Sequence, residues 1–330
     1  MNMKKIGLTA LAGSLVATSA FAGALSISGG AKLSHTSKGG NMATDGVSGS
    51  FAMDQEITAT GSAELDNGFT VSIAHGLATG GSGSDSSTLT LDMGDLGKLT
   101  YDDTDGHAGL AGLEDKMPLA YEQANDGLGT TAVPAVMAKM ASGQGFGYST
   151  AVGGVGISIG YSDGLGASTN RSDGSQDTTV LSTNSSSSIA VSYDLADIGL
   201  SVFGGIGKEG QADGKELDHS TIGVTYAYGP VKVGYQLNDE DDTDASATTT
   251  DLETEIYSIA FMVNDNLSLS YGAHNSDEAG SAIDQEIESF QASYSMGGIT
   301  INLKDSEVTG LSNVANQNHD TTEILVTFAF

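Results

Sequence analysis

The chain has 330 residues, of which 42 are acidic and 12 are basic, so its formal net charge is −30. The absence of cysteine excludes a disulfide scaffold, a thiolate metal site and a cysteine nucleophile. The acidic balance argues against nucleic-acid binding, and 46 glycines argue against a helix-rich enzyme, because glycine costs about 1 kcal/mol inside a helix.

The first 22 residues have the pattern of an export signal. Lys4 and Lys5 form a positive start, an apolar run covers 6–17, and the segment 20–22 (Ala-Phe-Ala) is a typical cleavage site. The run is too short to span a bilayer as a helix, which needs about 20 residues. We therefore expect residues 1–22 to be a cleaved signal peptide, and 23–330 to be a single domain with a net charge of −32.

Apolar and polar residues alternate with period two along the rest of the chain. In the final segment TTEILVTFAF, one face carries Ile324, Val326, Phe328 and Phe330, and the other carries Glu323, Leu325, Thr327 and Ala329. The segments LSISGGAKL, from Leu25, and GPVKVGYQL, from Gly229, show the same alternation. This period is typical of β-strands whose two faces meet different surroundings.

Short turns and long polar stretches alternate between these strands. The turn signals are rich in Gly, Asn and Asp, which favour tight hairpins, and they lie at 66–68, 94–97, 153–154, 196–198, 229–230, 264–266 and 297–298. The eight longer polar stretches are 36–52, 76–86, 102–144, 162–187, 207–220, 238–254, 274–286 and 305–321. Seven turns and eight loops predict sixteen strands in an antiparallel up-and-down sheet that can close on itself.

This layout favours an all-β transmembrane barrel with an apolar face toward lipid and a polar face toward a water-filled lumen. Outer-membrane barrels have short periplasmic turns and long extracellular loops. A soluble sandwich would need a dry core between two apolar faces, and these strands supply few bulky residues for one. A soluble β-helix would need a fixed short repeat, which the chain lacks.

On these features, the chain resembles a Gram-negative general porin of the alphaproteobacterial type. The resemblance is carried by the export signal, by LSISGGAKL, LDNGFTVSIAHGL and GPVKVGYQLND, and by the terminal VTFAF. It implies a homotrimer of sixteen-stranded barrels in the outer membrane, surrounded by lipid and lipopolysaccharide, with a third loop folded into each lumen. The C-terminal Phe330 matches the aromatic end residue that implies recognition by the barrel-assembly machinery.

The third long stretch, 102–144, is the longest, and it falls where a porin has its pore-constricting loop. Leu110, Leu113, Met117 and Leu119 give it an apolar content that a loop in solvent does not need. A partly helical outer loop or a trimer-contact loop is the alternative. Besides Lys116 and Lys139, the charged residues of the predicted constriction are Asp102, Asp103, Asp105, Glu114, Asp115, Glu122 and Asp126.

Charged residues on the polar face of the strands are the candidates for the lumen wall. The chain departs from the arginine cluster that the resemblance implies there, because its one arginine, Arg171, falls in a long loop. The inward lysines are expected near strand ends rather than at mid-height. The predicted lumen-facing residues are Lys32, Glu56, Glu64, Lys98, Lys232, Lys304 and Glu323.

Two catalytic motif matches are discarded because neither precedes a helix. GIGKEG at 205–210 fits a dinucleotide-binding pattern, and GYSDG at 160–164 fits a nucleophile elbow. We therefore expect no enzymatic activity and no required cofactor.

The acidic stretch 238–255 is the one candidate for metal binding. It holds eight acids and no base, and loose Ca²⁺ binding is the alternative to a solvated loop. Its candidate ligands are Asp239, Glu240, Asp241, Asp242 and Asp244. The histidines show no zinc spacing and are expected in solvated loops or at the rim; they are His35, His75, His107, His219, His274 and His319.

The sequence thus predicts an outer-membrane porin that forms a cation-selective channel for the passive diffusion of small hydrophilic solutes and ions. Size exclusion and electrostatic selection at a constriction would be its mechanism. A substrate-specific channel remains open, and a barrel enzyme or an adhesion barrel is a more distant alternative.

Overall fold

The computed structural model of the chain describes residues 25–41, 49–78, 86–102, 108–126, 128, 145–162, 185–210, 216–242 and 251–329. The predicted signal peptide lies outside these residues. So do several singly predicted residues, namely Asp103, Asp105, His107, Lys139, Arg171, Asp244 and Phe330.

Sixteen antiparallel strands form one closed barrel, as the sequence predicts. The first half comprises β1 Leu25–Gly40, β2 Ser50–Glu64, β3 Thr70–Ala78, β4 Ser86–Asp92, β5 Lys98–Asp102, β6 Gly145–Val152, β7 Val155–Ser162 and β8 Ser186–Leu195. The second half comprises β9 Leu200–Gly210, β10 Glu216–Tyr228, β11 Val231–Asp242, β12 Leu252–Asn264, β13 Leu267–Glu278, β14 Gln285–Met296, β15 Ile299–Thr309 and β16 His319–Ala329.

The first and last strands close the barrel by pairing with each other. In this register Lys32 of β1 lies opposite Thr327 of β16, and Leu33 lies opposite Val326. Closure satisfies the backbone hydrogen bonds of both edge strands, which is a requirement for a sheet that crosses hydrocarbon. Among the described residues, no helix is long and apolar enough to cross a membrane.

The two faces of the wall differ as the alternation predicts. Large apolar side chains lie exposed on the outer face, from Leu25 and Ile27 on β1 to Ile324 and Phe328 on β16. On β11 to β16, acidic side chains continue the same face toward the long-loop end, beyond the apolar band. Examples are Asp239, Asp241, Glu253, Glu255, Glu286, Glu288, Asp305 and Glu307.

Several strands extend further toward the long loops than the sequence predicts. The stretch 238–254 is not one loop, because β11 continues to Asp242 and β12 begins at Leu252. Likewise β1 continues to Gly40, and β9 continues to Gly210. The predicted strand ends follow the start of each polar stretch, but ladder hydrogen bonds persist in water above the membrane, where polar side chains are tolerated on both faces.

Candidate functional site

The third long loop, which follows β5, enters the barrel and lies against the inner wall. Its described part, 108–126 and 128, includes a 3₁₀ helix at Gly109–Lys116 that packs against β7, β8 and β9. Two backbone amides fix the entry of this loop. The Gly109 N–H donates to Ser158 Oγ at 2.7 Å, and the Leu110 N–H donates to Ser188 Oγ at 2.9 Å.

An apolar contact holds the first half of the loop. Leu110, Leu113 and Met117 form one buried cluster with wall side chains of β8, β9 and β12, namely Ala190, Phe203 and Ile256. These loop residues are among those whose apolar character predicted packing inside the barrel. Burial of each such side chain contributes about 1.5–3 kcal/mol, so the loop has a hydrophobic reason to leave solvent.

Two wall glycines make room for the middle of the loop. A Cβ at Gly234 of β11 would lie 2.6 Å from Pro118 Cδ and 2.8 Å from Met117 Sδ. A Cβ at Gly272 of β13 would lie 2.9 Å from Leu119 Cδ2. The inner wall is therefore shaped for this loop at two separate strands.

Polar wall side chains bind the backbone of the second half. Ser270 Oγ accepts from the Ala120 N–H at 2.8 Å. Gln291 Oε1 accepts from the N–H groups of Tyr121 and Glu122 at 3.0 and 3.2 Å, and Gln291 Nε2 donates to the Glu122 carbonyl at 2.7 Å. The loop is thus recognised through its main chain by strands β13 and β14.

The last two wall strands hold the far end of the described loop. Tyr121 donates its hydroxyl to Glu323 Oε1 of β16 at 3.2 Å. His319 Nε2, also on β16, lies 2.6 Å from the Leu128 carbonyl, to which it donates. A second buried cluster includes Leu128 and wall residues such as Ile287 and Val308. The loop therefore runs along the inner wall from β7 to β16.

The predicted constriction residues have different surroundings. Asp102 is the last residue of β5, and its Oδ2 accepts from Thr88 Oγ1 at 2.9 Å. Glu114 is half-buried and Asp115 is exposed on the loop. Glu122 forms an ion pair with Lys304 at 2.9 Å, with both side chains largely withdrawn from water. These residues share the loop or its root, but they do not form one cluster of free charges.

Burial raises the pKa of the Asp126 carboxyl above its ordinary value. The Lys304 ammonium opposes this shift, and the negative charge of Glu122 adds to it. The Gln123 N–H donates to Asp126 Oδ2 at 3.0 Å, which also favours the ionised form. Burial, together with the charges of Glu122 and Glu323, likewise raises the pKa of the Tyr121 hydroxyl, so it remains a donor.

The predicted wall residues lie at different heights along the barrel wall. Lys98 begins β5 and pairs with Asp92 at 3.1 Å, and Lys232 is the second residue of β11, so both lie at the short-turn end. Glu64 ends β2 at the same rim. Glu56 lies further along β2 and accepts from Thr58 Oγ1 at 3.0 Å.

The prediction that the lysines lie near strand ends is wrong for two of them. Lys32 is in the middle of the long strand β1, and Lys304 is in the middle of β15. Lys304 is only 3% exposed because the loop covers it. The polar stretches that begin at 36 and 305 predicted strand ends near these lysines, but both strands continue into those stretches.

A family model described as Gram-negative porin matches residues 7–300. The chain belongs to the Gram-negative porin family. A sequence comparison with curated proteins gave no match.

Solved porin structures share the fold of this chain. An anion-selective porin from Comamonas acidovorans has a TM-score of 0.64 and 13% identity, covering 93% of this chain and 99% of its own. A mutant of the Rh. blastica porin has a TM-score of 0.63 and 13% identity, covering 93% and 100%. A further porin structure has a TM-score of 0.60 and 16% identity, with the same coverage as the mutant. Family and fold together identify an outer-membrane β-barrel channel rather than an enzyme.

Three histidines of this porin are not solvated rim residues, which corrects the prediction from sequence. His219, His274 and His319 are 5%, 1% and 0% exposed. His219 lies between two carboxylates, with Nε2 3.3 Å from Glu209 Oε2 and Nδ1 3.5 Å from Glu240 Oε2. Local patterns in the sequence do not reveal this burial, because the inner faces of β10, β13 and β16 are covered only in the folded barrel.

The candidate metal ligands do not converge. Asp239, Glu240, Asp241 and Asp242 are consecutive residues of β11, so their side chains alternate between the two faces of the wall. Among the described residues, no group of three or more acidic or histidine side chains is arranged to hold a metal ion. Binding of Ca²⁺ stays a prediction.

Proposed function

We propose that this porin is a cation-selective, water-filled channel for the passive diffusion of small hydrophilic solutes and ions. The observation that carries the proposal is the unequal placement of charge at the constriction. On the loop, Asp115 is exposed and Glu114 is half-buried, whereas the wall lysine beneath the loop, Lys304, is buried in an ion pair.

The mechanism is electrostatic enrichment in a narrow lumen. Glu122 is compensated by Lys304, so the other loop acids set the local potential, and Lys116 is the basic residue that opposes them in the described part of the loop. Fixed charge acts over the Debye length, about 8 Å at physiological salt. A constriction comparable to that length attracts cations and depletes anions.

The anion selectivity of the Comamonas porin does not oppose this proposal. At 13% identity, the likeness concerns the fold alone. Selectivity depends on which charges line the pore, and those residues vary freely on a shared barrel.

A planar-bilayer recording of the purified porin tests the proposal. Under a KCl gradient, we expect a reversal potential with the sign that indicates cation preference. The cation preference should weaken toward 1 M salt, where the Debye length falls to about 3 Å. A reversal potential of the opposite sign would contradict the proposal. The absence of conductance would favour an enzyme or adhesin barrel.

We also propose a homotrimer whose contact face is the outer surface of β1 to β4. Small residues alternate with larger ones there, including Ala31, Ala59 and Gly61, so that another barrel could approach closely. On the same face, His75 Nδ1 and Ser87 Oγ lie 2.7 Å apart, a polar pair that is unfavourable against lipid.

Light scattering in mild detergent tests the assembly. We expect a trimeric mass for the wild type and a shift toward monomer for Ala59→Trp. Ile301→Trp, on the outer face of β15, is the matched control and should remain trimeric. A monomeric wild type would contradict the proposal. Surrounding lipopolysaccharide and assembly by the barrel-assembly machinery stay part of the same proposal.

A further inference from the structure

Lys304 has all three of its donors directed at the constriction loop. Its Nζ donates to Glu122 Oε1 at 2.9 Å, to the Gln123 carbonyl at 2.7 Å and to the Asp126 carbonyl. An ammonium group has three N–H donors and no acceptor, so these contacts use its full capacity. Although it occupies the middle of a pore wall, this cation is withdrawn from the permeation path.

The neighbouring strand supplies a second anchor at the same place. Gln291 of β14 is the register partner of Lys304, and it is fully buried. Its amide makes three hydrogen bonds to the backbone of Tyr121 and Glu122. Two adjacent wall side chains therefore hold the segment 121–126 at successive residues.

The anchor contains one ion pair that is largely withdrawn from water, Lys304 with Glu122. Glu323 of β16 is the other register partner of Lys304, and it accepts the Tyr121 hydroxyl. Removing one member of a buried ion pair leaves an uncompensated charge in a poorly solvated place, which is costly. The loop position therefore depends on Lys304 far more than it would on an exposed lysine.

We propose that Lys304 is the positioning residue of the constriction loop. It determines where the loop charges stand in the lumen and how rigidly they are held, and it does not act as a cation facing permeating ions. The inference rests on the proposed function insofar as the loop is taken to be the selectivity filter. Its central claim, that Lys304 holds the loop, is independent of the sign of selectivity.

A spin label on the loop measures this claim directly. The chain contains no cysteine, so Asp115→Cys places a single nitroxide on an exposed loop residue. Lys304→Met is compared with Lys32→Met in this background. Lys32 is the matched control, because it is a lysine in the middle of a wall strand whose register partners are Thr327 and Asp54.

For Lys304→Met, we expect the ratio of immobile to mobile label to fall at least about tenfold, because loss of a buried partner is worth more than one decade of an equilibrium. Lys32→Met should leave the ratio unchanged. Unchanged spectra in both variants, or equal changes in both, would overturn the proposal.

Single-channel recordings in the native background give the second readout. If Lys304 were a cation that faced permeating ions, its removal would raise cation preference, as we expect for Lys32→Met. The open-channel current would then show no added noise. As a positioning residue, its removal should instead produce open-channel noise, because the released loop moves within the lumen. A quiet Lys304→Met channel with raised cation preference would overturn the proposal.

Glu122→Gln removes the loop carboxylate of the same ion pair. It serves as the test variant if Lys304→Met fails to assemble. We expect the same mobile label and the same noise, and no further effect when both substitutions are combined. Fully additive effects would overturn the proposal. If the wild type is not cation-selective while the label still responds to Lys304→Met, the proposed selectivity fails and the positioning role stands.

Discussion

The accessible acids of the constriction loop give the sharpest prediction for this porin. We consider the double variant Glu114→Gln, Asp115→Asn, which removes two charges from the 3₁₀ helix at Gly109–Lys116. Neither residue belongs to the Lys304 anchor, and Asp115 is exposed. The variant should therefore change the potential in the lumen without moving the loop.

The expected size follows from Coulomb's law in water. An ion passing about 5 Å from one carboxylate is enriched roughly fourfold when the dielectric constant is about 80. Screening reduces the contribution of the more distant charge. The cation-to-anion permeability ratio should thus fall roughly fourfold to tenfold in dilute salt, and by less than about twofold at 1 M, where the Debye length is about 3 Å.

The assay is the reversal potential under a KCl gradient, measured at low and at high mean salt. Asp95→Asn, Asp197→Asn is the matched control, because it removes the same number of charges from the short turns after β4 and β8, away from the loop. A control that shifts as much as the double variant would show that the overall charge of the chain matters, and not the loop. No shift in the double variant would refute the reasoning.

Four further predictions follow from the same contacts. His274→Leu should raise the free energy of unfolding in denaturant by about 1–3 kcal/mol, because both ring nitrogens are buried and have no hydrogen-bond partner among the described residues; a lower free energy of unfolding would mean that water inside the barrel satisfies the imidazole. Gly234→Val should displace the loop and change single-channel conductance, whereas Gly61→Ala on the outer face, where a Cβ meets only Ile73 at 3.7 Å, should not. Because its pKa is raised, the Asp126 carboxyl takes up a proton before ordinary carboxyls as pH falls, so cation preference should begin to decline at a higher pH than ordinary carboxyls would give. Asp126→Asn should remove this first part of the decline, which is measured as reversal potential against pH. Deletion of Phe330 should lower outer-membrane levels of the protein, measured by fractionation, more than it changes the conductance of the channels that do assemble.

Much of the fold could be predicted from local patterns. Alternation marks each strand, since side chains of a strand point to opposite faces, and Gly, Asn and Asp mark each hairpin because they tolerate turn conformations. The prediction of sixteen strands and of an apolar outer face is confirmed. The apolar residues within the third long stretch also predicted its place inside the barrel, since Leu110 and Leu113 are buried there.

The candidate site was predicted only in part. Composition identified Glu122 and Lys304 as charged residues of the loop and the wall, but not as partners, because they are separated by most of the chain and meet only after closure. The polar stretch that begins at 305 predicted that Lys304 lies at a strand end, whereas β15 continues to Thr309. The burial of His274 was missed for the same kind of reason, since it depends on which wall strands the loop covers.

The sequence by itself therefore determined the number of strands, their two faces and the loop that enters the lumen, because period, turn chemistry and apolar content act over a few neighbouring residues. Only the tertiary structure decided which charges face the lumen and which are neutralised within the wall. That division depends on contacts between the loop and strands β7 to β16, such as Gln291 with Tyr121 and His319 with Leu128. Burial and pairing are properties of the closed barrel, so no local pattern could assign them.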